Sequence, residues 1–285
     1  MSFQFKTLET LPLDELSNTF NQAFSDYMVK VQLSSMQLKQ KILLDRVDLH
    51  YSVGAFVGEQ CVGVIFTGVG DWNGKKTAYN AGTGVIPTHR GHQLTRKMYD
   101  FQKSIFNELG IQQGLLEVID TNEAAIHSYK KVGFKIARSF DCFVYKPQKT
   151  ETKVVEGIEK RALLNLPWKE LAHFWNAKPS WQNANEGVQA ATALFSFLGF
   201  YKNDQLVAYG VKDPVKGRIA QFGVHRDHRG QGFGRLLFQE LEQIGNPKQS
   251  IINIDRKDEV TIAFLKKIGF EYYIGQYEMK WEFKS

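Results

Sequence analysis

Cysteine is scarce in this sequence, which also lacks a long apolar run and a signal-like N-terminus. Its 285 residues include two cysteines, Cys61 and Cys142, which are far apart and match no metal-ligand spacing. They indicate two reduced thiols in a cytoplasmic protein rather than a disulfide framework. The longest apolar stretches, such as residues 193–200, have the length of a strand, whereas a membrane span needs roughly 18 residues. The first 16 residues carry early acidic side chains and no apolar core of a secretory signal, so we expect neither export nor a membrane partner.

Positive charge is present but not clustered. The formal net charge is +6, and the adjacent lysines Lys130-Lys131 and Lys266-Lys267 are short pairs on predicted helices. A positive surplus favours anionic partners through long-range attraction, but a nucleic-acid reader needs a basic cluster or a recognisable motif. The charge therefore favours a small phosphorylated cofactor, and no nucleic-acid partner is expected.

The sequence contains an internal repeat. Four short segments recur in the same order, and their offset falls from 155 to 136 residues because the second copy has shorter loops. The matched segments are 11–16 with 166–171, 53–63 with 198–208, 85–91 with 224–230, and 125–134 with 261–270. A period of this size is typical of tandem domains rather than of a solenoid. We expect domains at 1–147 and 154–285, joined by a polar, proline-containing linker at 145–153.

Each half has the same order of predicted elements. An amphipathic helix comes first, at 13–28 and 167–176, and a hairpin follows, with its turn at Gly58-Glu59 or Asn203-Asp204. A third strand leads into a loop, a helix, a strand, a second helix and a final aromatic strand. Because hairpins connect the first strands and helices connect the later ones, the sheet should be mixed. The pattern predicts an α/β (α+β) chain of two domains, each with a mixed sheet flanked by helices.

The loop at 229–234 reads R-G-Q-G-F-G and lies between a predicted strand and a predicted helix. Glycines let successive backbone amides converge, and a helix N-terminus adds positive potential, so the loop is suited to phosphate oxygens. A P-loop is excluded, because Arg235 and Leu236 stand where Lys and Ser or Thr are required. A dinucleotide-binding half is disfavoured, because only 30 residues follow Asp255, too few for its remaining strands.

Strand, loop and later helix together resemble the GCN5-related N-acetyltransferase (GNAT) family. In the second half the residues that carry the resemblance are Val224, Arg229, Gly230, Gly232, Gly234 and Lys267-Ile268-Gly269-Phe270. In the first half they are Val85, Arg90, Gly91 and Lys131-Val132-Gly133-Phe134. The resemblance covers both halves, and it implies two tandem domains of this family whose sheets splay to admit acetyl-CoA.

The family resemblance also implies where acetyl-CoA would bind. The pyrophosphate would lie on loop amides, at 92–96 in the first half and 231–235 in the second. The pantetheine arm would pair with the edge of the strand before the loop, and Asn122 is a further contact. The candidate cofactor-binding residues are Val85, Arg90, Gly91, His92, Gln93, Leu94, Thr95, Asn122, Val224, Arg229, Gly230, Gln231, Gly232, Phe233, Gly234 and Arg235.

The two halves differ in the residue that the family commonly uses as an acid, a tyrosine on the second helix. Tyr129 stands at this position in the first half, and Leu265 stands there in the second. A tyrosine with a pKa near 10 stays protonated at pH 7 and can give a proton to the leaving thiolate. The first half, however, carries Gln93 and Thr95 at two loop glycine positions, and Gln93 would cost about 1–2 kcal/mol if its φ were positive. We predict that the first half is catalytic, with Tyr129 as the acid.

Other polar side chains carry weaker signals. Two H-x-x-H pairs, at 89–92 and 225–228, have helix-like spacing but no third ligand in a recognisable pattern, so no metal is expected. Glu117, near the end of a predicted strand, is either a base reached through water or a solvated carboxylate.

The sequence thus indicates a cytoplasmic acetyltransferase that moves the acetyl group directly from acetyl-CoA to a small-molecule or peptide amine. The alternative is a non-catalytic acyl-CoA-binding or regulatory protein built from two such domains, and a nucleic-acid binder comes third. The sequence fixes neither the acceptor nor the oligomeric state, nor which half binds acetyl-CoA.

Overall fold

The structure is a computed structural model that describes residues 2–147, 157–163 and 167–283. The chain forms two compact units: unit 1 comprises residues 1–137 and 277–285, and unit 2 comprises residues 138–276. Most of the predicted linker, residues 148–153, lies outside the described residues, as does residue 154, the predicted start of the second domain.

Unit 1 has one mixed sheet with helices on both faces. Its elements are β1 (Gln4–Thr7), α1 (Leu13–Ala23), α2 (Ser35–Asp45), β2 (Val53–Val57), β3 (Gln60–Trp72), β4 (Lys75–Val85), α3 (Leu94–Glu108), β5 (Gln113–Ile119), α4 (Glu123–Val132) and the end of β12 (Phe270–Glu282). The strand order is β1-β2-β3-β4-β5-β12. Neighbours from β1 to β4 are antiparallel, and β4 and β5 are parallel.

Unit 2 repeats this order of elements. They are β6 (Lys135–Tyr145, mostly in this unit), β7 (Glu159–Ala162), α5 (Trp168–Leu171), α6 (Asn185–Ala190), β8 (Ser196–Lys202), β9 (Gln205–Lys212), β10 (Ile219–Val224), α7 (Phe233–Glu242), β11 (Ser250–Asp255), α8 (Glu259–Lys267) and the start of β12. Strands β7 to β10 form an antiparallel sheet. Strand β6 lies between β11 and β12.

Each unit is completed by a segment from the other half of the sequence. Residues 138–145 of β6 belong to unit 2, where they pair with β11. Residues 277–282 of β12 belong to unit 1, where the Phe283 amide donates to the Gln112 carbonyl (3.1 Å) and Met279 is fully buried. The bounds 1–147 and 154–285 therefore describe the sequence repeat and stay a prediction, because the compact units do not divide the chain at one point.

Local signals account for several element ends. The hairpin turn at Asn203-Asp204 is confirmed, and both residues have positive φ (50° and 61°), as a two-residue type I′ turn requires. Ser34 and Gln37 form a capping box at the start of α2. Helix α1 ends at Ala23, earlier than predicted, and the Ser25 hydroxyl donates to the Gln22 carbonyl there (2.8 Å). Among the described helices, none is both long and apolar enough to cross a membrane.

Candidate active site

In both units the sheet opens between two central parallel strands. In unit 1, residues 77–80 of β4 pair with 113–116 of β5, and the strands then separate. In unit 2, β10 and β11 lie in different sheets. Among the described residues, a parallel bridge between Arg218 and Ser250 joins the two chain segments where these strands begin. The expected splay is therefore present twice.

A β-bulge lies at the mouth of each splay. The register shifts beside Thr67 on β3 and β4, and between Ile219 and Gln221 on β10. Beyond it, Gly84 and Gly223 face the first helical segment of their unit, so closely that a Cβ at Gly84 would lie 2.8 Å from the Ala23 Cβ. Sequence reasoning missed these two glycines, although a Gly-Val pair precedes the loop in both halves.

The loop after the splay has the same backbone in both units. Gly91 and Gly230 have φ values of 84° and 78°. Gln93 (φ 57°) and Gly232 (φ 97°) are the left-handed residues at which α3 and α7 begin. Gln93 thus takes the strained conformation, at a cost of about 1–2 kcal/mol, and the loop amides follow the same path as in unit 2. The next residue, Leu94 or Phe233, has a buried side chain, so it would meet a phosphate through its amide.

Tyr129 lies on α4 with its side chain buried against the splay. Burial raises the pKa of its hydroxyl to about 12, although hydrogen bonding with Thr83 and Asn80 opposes the shift. The Asn80 amide also donates to the Tyr99 hydroxyl (2.7 Å). Thr83, Asn80 and Tyr99, which sequence reasoning missed, form a polar cluster beside Tyr129, while burial keeps the Tyr129 hydroxyl protonated at neutral pH.

Glu117 lies on β5 at the other face of the splay. Its neighbours Leu116 and Val118 belong to the core beneath α3 and α4, so the alternation of the strand turns Glu117 toward the face that α1 covers. There the Tyr79 hydroxyl donates a hydrogen bond to its carboxylate. The splay of unit 1 thus has a protonated hydroxyl on one face and a carboxylate on the other.

Unit 2 contains a cavity of about 490 Å³ between β10, β11, α7 and α8. The loop residues Arg229, Gly230, Gly232, Gly234 and Arg235 line it, together with Val224 and Trp175. The strand edge, the glycine loop and a helix N-terminus therefore face one continuous space, as a pantetheine arm with a pyrophosphate requires.

The sequence profile of the Acetyltransferase (GNAT) family matches residues 13–134 and 160–270. The chain belongs to this family. The two matched regions also show that it carries two GNAT domains in tandem.

Solved structures of GNAT proteins share the fold over the whole chain. A tandem GNAT protein from the clavulanic acid biosynthesis pathway has a TM-score of 0.73 at 13% identity and covers 100% of both chains. A GCN5-related N-acetyltransferase from Sphaerobacter thermophilus has a TM-score of 0.71 at 14% identity, over 98% of this chain and 95% of that one. A putative acetyltransferase from Pyrococcus horikoshii has a TM-score of 0.67 at 15% identity, with coverage of 99% and 89%. No curated protein is significantly similar in sequence.

The arginine of each GNAT loop turns away from the loop amides. The Arg229 guanidinium donates to the carbonyls of Val224 (3.1 Å) and Phe174 (2.9 Å) and to the Asn176 side chain (2.7 Å). Arg90 makes the same contacts with Val85, Ala23 and Asp26 in unit 1. These side chains tie the loop to the strand end and to the first helical segment, so their share in a phosphate site would come from the backbone.

The remaining candidate residues have varied surroundings. The Asn122 side chain caps α4 by accepting from the Ala125 amide (3.1 Å), as Asp258 caps α8 in unit 2, and it also bonds with the Tyr27 hydroxyl. The ring of His92 lies 5.2 Å from the ring of Phe3. The side-chain amide of Gln231 donates to the Asp227 carbonyl (3.3 Å). Within the described ranges, no group of three His, Cys, Asp or Glu side chains could hold a metal.

The third loop glycine serves helix packing. A Cβ at Gly234 would lie 2.8 Å from the Phe264 ring on α8. In unit 1, Thr95 is equivalent to Gly234 and Ser128 is equivalent to Phe264. A larger residue on the first helix is thus matched by a smaller residue on the second. The loss of this glycine in unit 1 therefore leaves the loop backbone intact.

This exchange predicts an energetic coupling between the two positions. Gly234→Thr should lower the free energy of unfolding by about 1–3 kcal/mol, because it overpacks the helix contact. In a Phe264→Ser background the same change should cost at least about 1 kcal/mol less, as a double-mutant cycle in urea would measure. Ser128→Phe and Thr95→Gly give the mirror cycle in unit 1. Additive costs in both cycles would contradict the packing explanation.

Proposed function

We propose that the protein is an acetyl-CoA-dependent N-acetyltransferase, and that unit 1 transfers the acetyl group directly to an amine. The observation that supports this most is the buried, protonated Tyr129 at the splay, next to a loop whose backbone matches the complete glycine loop of unit 2.

Acetyl-CoA would enter unit 1 along β4. The amides of residues 92–96 would bind the pyrophosphate at the N-terminus of α3, where Gly91, His92 and Gln93 are exposed. The pantetheine arm would follow the free edge of β4 beyond Asn80 and bring the thioester between the two faces of the splay.

Transfer then needs two proton movements. The amine nitrogen attacks the thioester carbonyl carbon, a C–N bond forms, and the C–S bond breaks as the tetrahedral intermediate collapses. Tyr129 gives its proton to the departing CoA thiolate, and the amine gives up its own proton on the opposite face. The products are an N-acetylated amine and free CoA.

Glu117 is the residue that supports a base on the acceptor face. Its carboxylate lies on the face of β5 that α1 covers, and Tyr79 fixes its position by a hydrogen bond. An amine on this face would meet a carboxylate that attracts its charged form and, directly or through water, accepts a proton.

Glu117→Gln should lower kcat about tenfold, because solvent water can still accept the proton. The affinity for acetyl-CoA, measured by calorimetry, should not change. Glu123→Gln, an exposed change in the first turn of α4, is the matched control. An unchanged kcat in Glu117→Gln would remove the carboxylate from the mechanism.

The residues of unit 2 favour acyl-CoA binding without transfer of the acyl group. Its counterpart of Tyr129 is Leu265, which is fully buried and has no proton to give. On the acceptor face, the Gln221 amide donates to the Asn183 carbonyl (2.7 Å) and the Asn185 side chain (3.0 Å). Unit 1 has Gly82 at the position equivalent to Gln221 and so lacks this side chain on the acceptor face.

Release of CoA thiol from acetyl-CoA, measured with a panel of small-molecule and peptide amines, tests the proposal. Burial raises the pKa of Cys61 to about 12 and that of Cys142 to about 11, so the folded protein should contribute little background to a thiol reagent. Amine-dependent thiol release supports an enzyme. Tight CoA binding without release for any amine would favour the non-catalytic alternative. Dependence on acetyl-CoA also favours the predicted cytoplasmic location.

A further inference from the structure

The two units differ systematically on the face of the splay that the later helices cover. Four hydroxyl side chains of unit 1 are replaced by apolar ones at the equivalent positions of unit 2. The pairs are Thr83 and Phe222, Tyr99 and Phe238, Ser128 and Phe264, and Tyr129 and Leu265. The contacts confirm the equivalence: Tyr99 packs on Phe134 at 5.6 Å, and Phe238 packs on the matching Phe270 at 5.3 Å.

Three of the four apolar replacements line the cavity of unit 2. Phe222, Phe238 and Phe264 all face it, and their rings lie in contact, at 5.0 Å between Phe222 and Phe238 and 5.8 Å between Phe238 and Phe264. Leu237 and Ile251, which are core residues of the unit, also line it. The inner wall of this cavity is therefore an aromatic and aliphatic surface.

The wall of unit 1 is polar at the same positions. The Tyr99 hydroxyl accepts a hydrogen bond from Asn80 (2.7 Å), and Tyr129 lies beside Thr83. An aliphatic chain placed there would separate buried hydroxyls from their partners, at a cost of about 1–3 kcal/mol for each unsatisfied group. This wall, which contains the proposed proton donor Tyr129, therefore favours a short acyl group.

The opening of the strands also reaches deeper in unit 2. Strands β4 and β5 pair over four residues before they part, whereas the bridge between Arg218 and Ser250 directly precedes the point at which β10 and β11 separate. Ile251, with 1% of its surface exposed, consequently lines the cavity. The space thus extends past the strand edge into the apolar interior.

We propose that unit 2 binds a CoA thioester whose acyl group is an aliphatic chain longer than acetyl, with the chain on the wall of Phe222, Phe238 and Phe264. The proposal rests on the proposed function in that the carrier is CoA. No transfer from this groove is proposed, because Leu265 replaces the acid. Unit 2 would then recognise one class of thioester while unit 1 consumes another.

Titration with CoA, acetyl-CoA, butyryl-CoA, hexanoyl-CoA and octanoyl-CoA tests chain-length recognition. Each buried methylene should tighten binding about fourfold, until the chain fills the cavity. Hydrogen exchange assigns the site: the longer thioesters should protect peptides from residues 219–242, and the protection of residues 80–99 should not grow with chain length. A dissociation constant that is the same from acetyl to octanoyl would overturn the proposal.

Phe222→Thr gives unit 2 the residue type that unit 1 has at the equivalent position, Thr83. It should remove most of the gain between acetyl-CoA and hexanoyl-CoA while leaving the affinity for acetyl-CoA within about twofold, because the loop amides are untouched. Phe195→Thr is the matched control, since Phe195 is a half-buried phenylalanine of unit 2 that does not line the cavity. Phe264→Ser provides a second test if Phe222→Thr does not fold.

The outcomes separate this inference from the proposed function. If no thioester binds and no amine releases thiol from acetyl-CoA, the proposed function fails, and this inference fails with it. If acetyl-CoA is turned over but chain length has no effect on binding, or if Phe222→Thr keeps the full chain-length preference, only the inference is wrong.

Discussion

Tyr129→Phe is expected to lower kcat for acetyl transfer by about 10²-fold or more and to leave the affinity for acetyl-CoA nearly unchanged. The leaving thiolate of CoA belongs to a thiol whose pKa is about 8.5, and a positioned acid that protonates it contributes about 10²–10⁴ to the rate. The variant keeps the aromatic ring against Phe134, 6.0 Å away, so the core should remain packed. The measurement is thiol release at saturating acetyl-CoA, with binding followed by calorimetry.

The pH dependence sharpens this test. Because burial raises the pKa of Tyr129 to about 12, the hydroxyl keeps its proton throughout the range from pH 6 to pH 10. Deprotonation of Tyr129 should therefore not lower the wild-type kcat within that range. An alkaline fall in kcat with a midpoint near 10 would show that Tyr129 titrates at its ordinary value and is not buried as the structure has it.

Tyr99→Phe is the control for effects on packing. Tyr99 belongs to the same cluster and its hydroxyl accepts from Asn80, so its loss should lower the free energy of unfolding by about 1–3 kcal/mol. Its effect on kcat should be small, because it stands behind Tyr129 in the core. Equal losses of kcat in the two variants would assign the effect of Tyr129→Phe to the cluster rather than to an acid.

Removal of residues 277–285 is expected to unfold unit 1. These residues include the end of β12, where Met279 is fully buried and Trp281 packs on Tyr99 and Phe134. Loss of a buried methionine costs about 2–5 kcal/mol, and loss of the partly buried Trp281 adds to it. Together they approach the free energy of unfolding of a typical domain, about 5–15 kcal/mol. Peptides from residues 113–119 should lose their protection from hydrogen exchange, and transfer activity should disappear.

Unit 2 provides the internal reference for the truncation. Peptides from residues 205–212, in the antiparallel sheet of unit 2, should exchange as in the intact chain. Tyr273→Ser changes an exposed residue on the same strand β12 and should leave both regions protected. If the truncated protein keeps the protection of residues 113–119, the contribution of β12 to unit 1 is small and the described pairing is wrong.

The sequence contained enough to predict the repeat, the order of elements and the GNAT loop. The hairpin signal at Asn203-Asp204 and the strand-loop-helix order depend on neighbouring residues only, so they could be predicted without knowledge of distant contacts. The splay followed from the family resemblance and is confirmed. Tyr129 was found because its position is set by the distance to Gly133-Phe134, and its role as the acid stays a prediction.

Features that depend on register and on long-range contacts were not predictable in this way. The bulges beside Thr67 and Gln221 decide which side chains face which helices, and no residue type marks them. The sign of φ at Gln93 was left open, and the structure fixes it as positive. The guanidinium groups of Arg90 and Arg229 point to strand-end carbonyls, a choice that only the folded chain reveals. The exchange of strand segments also lay beyond local patterns, because it depends on pairings between distant parts of the chain.

Delayed completion of unit 1 during synthesis follows from that exchange. A ribosome adds about 5–20 residues per second, so roughly seven to thirty seconds separate the emergence of residue 137 from that of residues 277–282. Throughout that interval the edge of β5 lacks its neighbour β12, and Tyr99 and Phe134 lack their contact with Trp281, which exposes the nascent chain to chaperones and to aggregation. A stalled or prematurely terminated message would yield a polypeptide that contains every proposed catalytic residue but cannot complete unit 1.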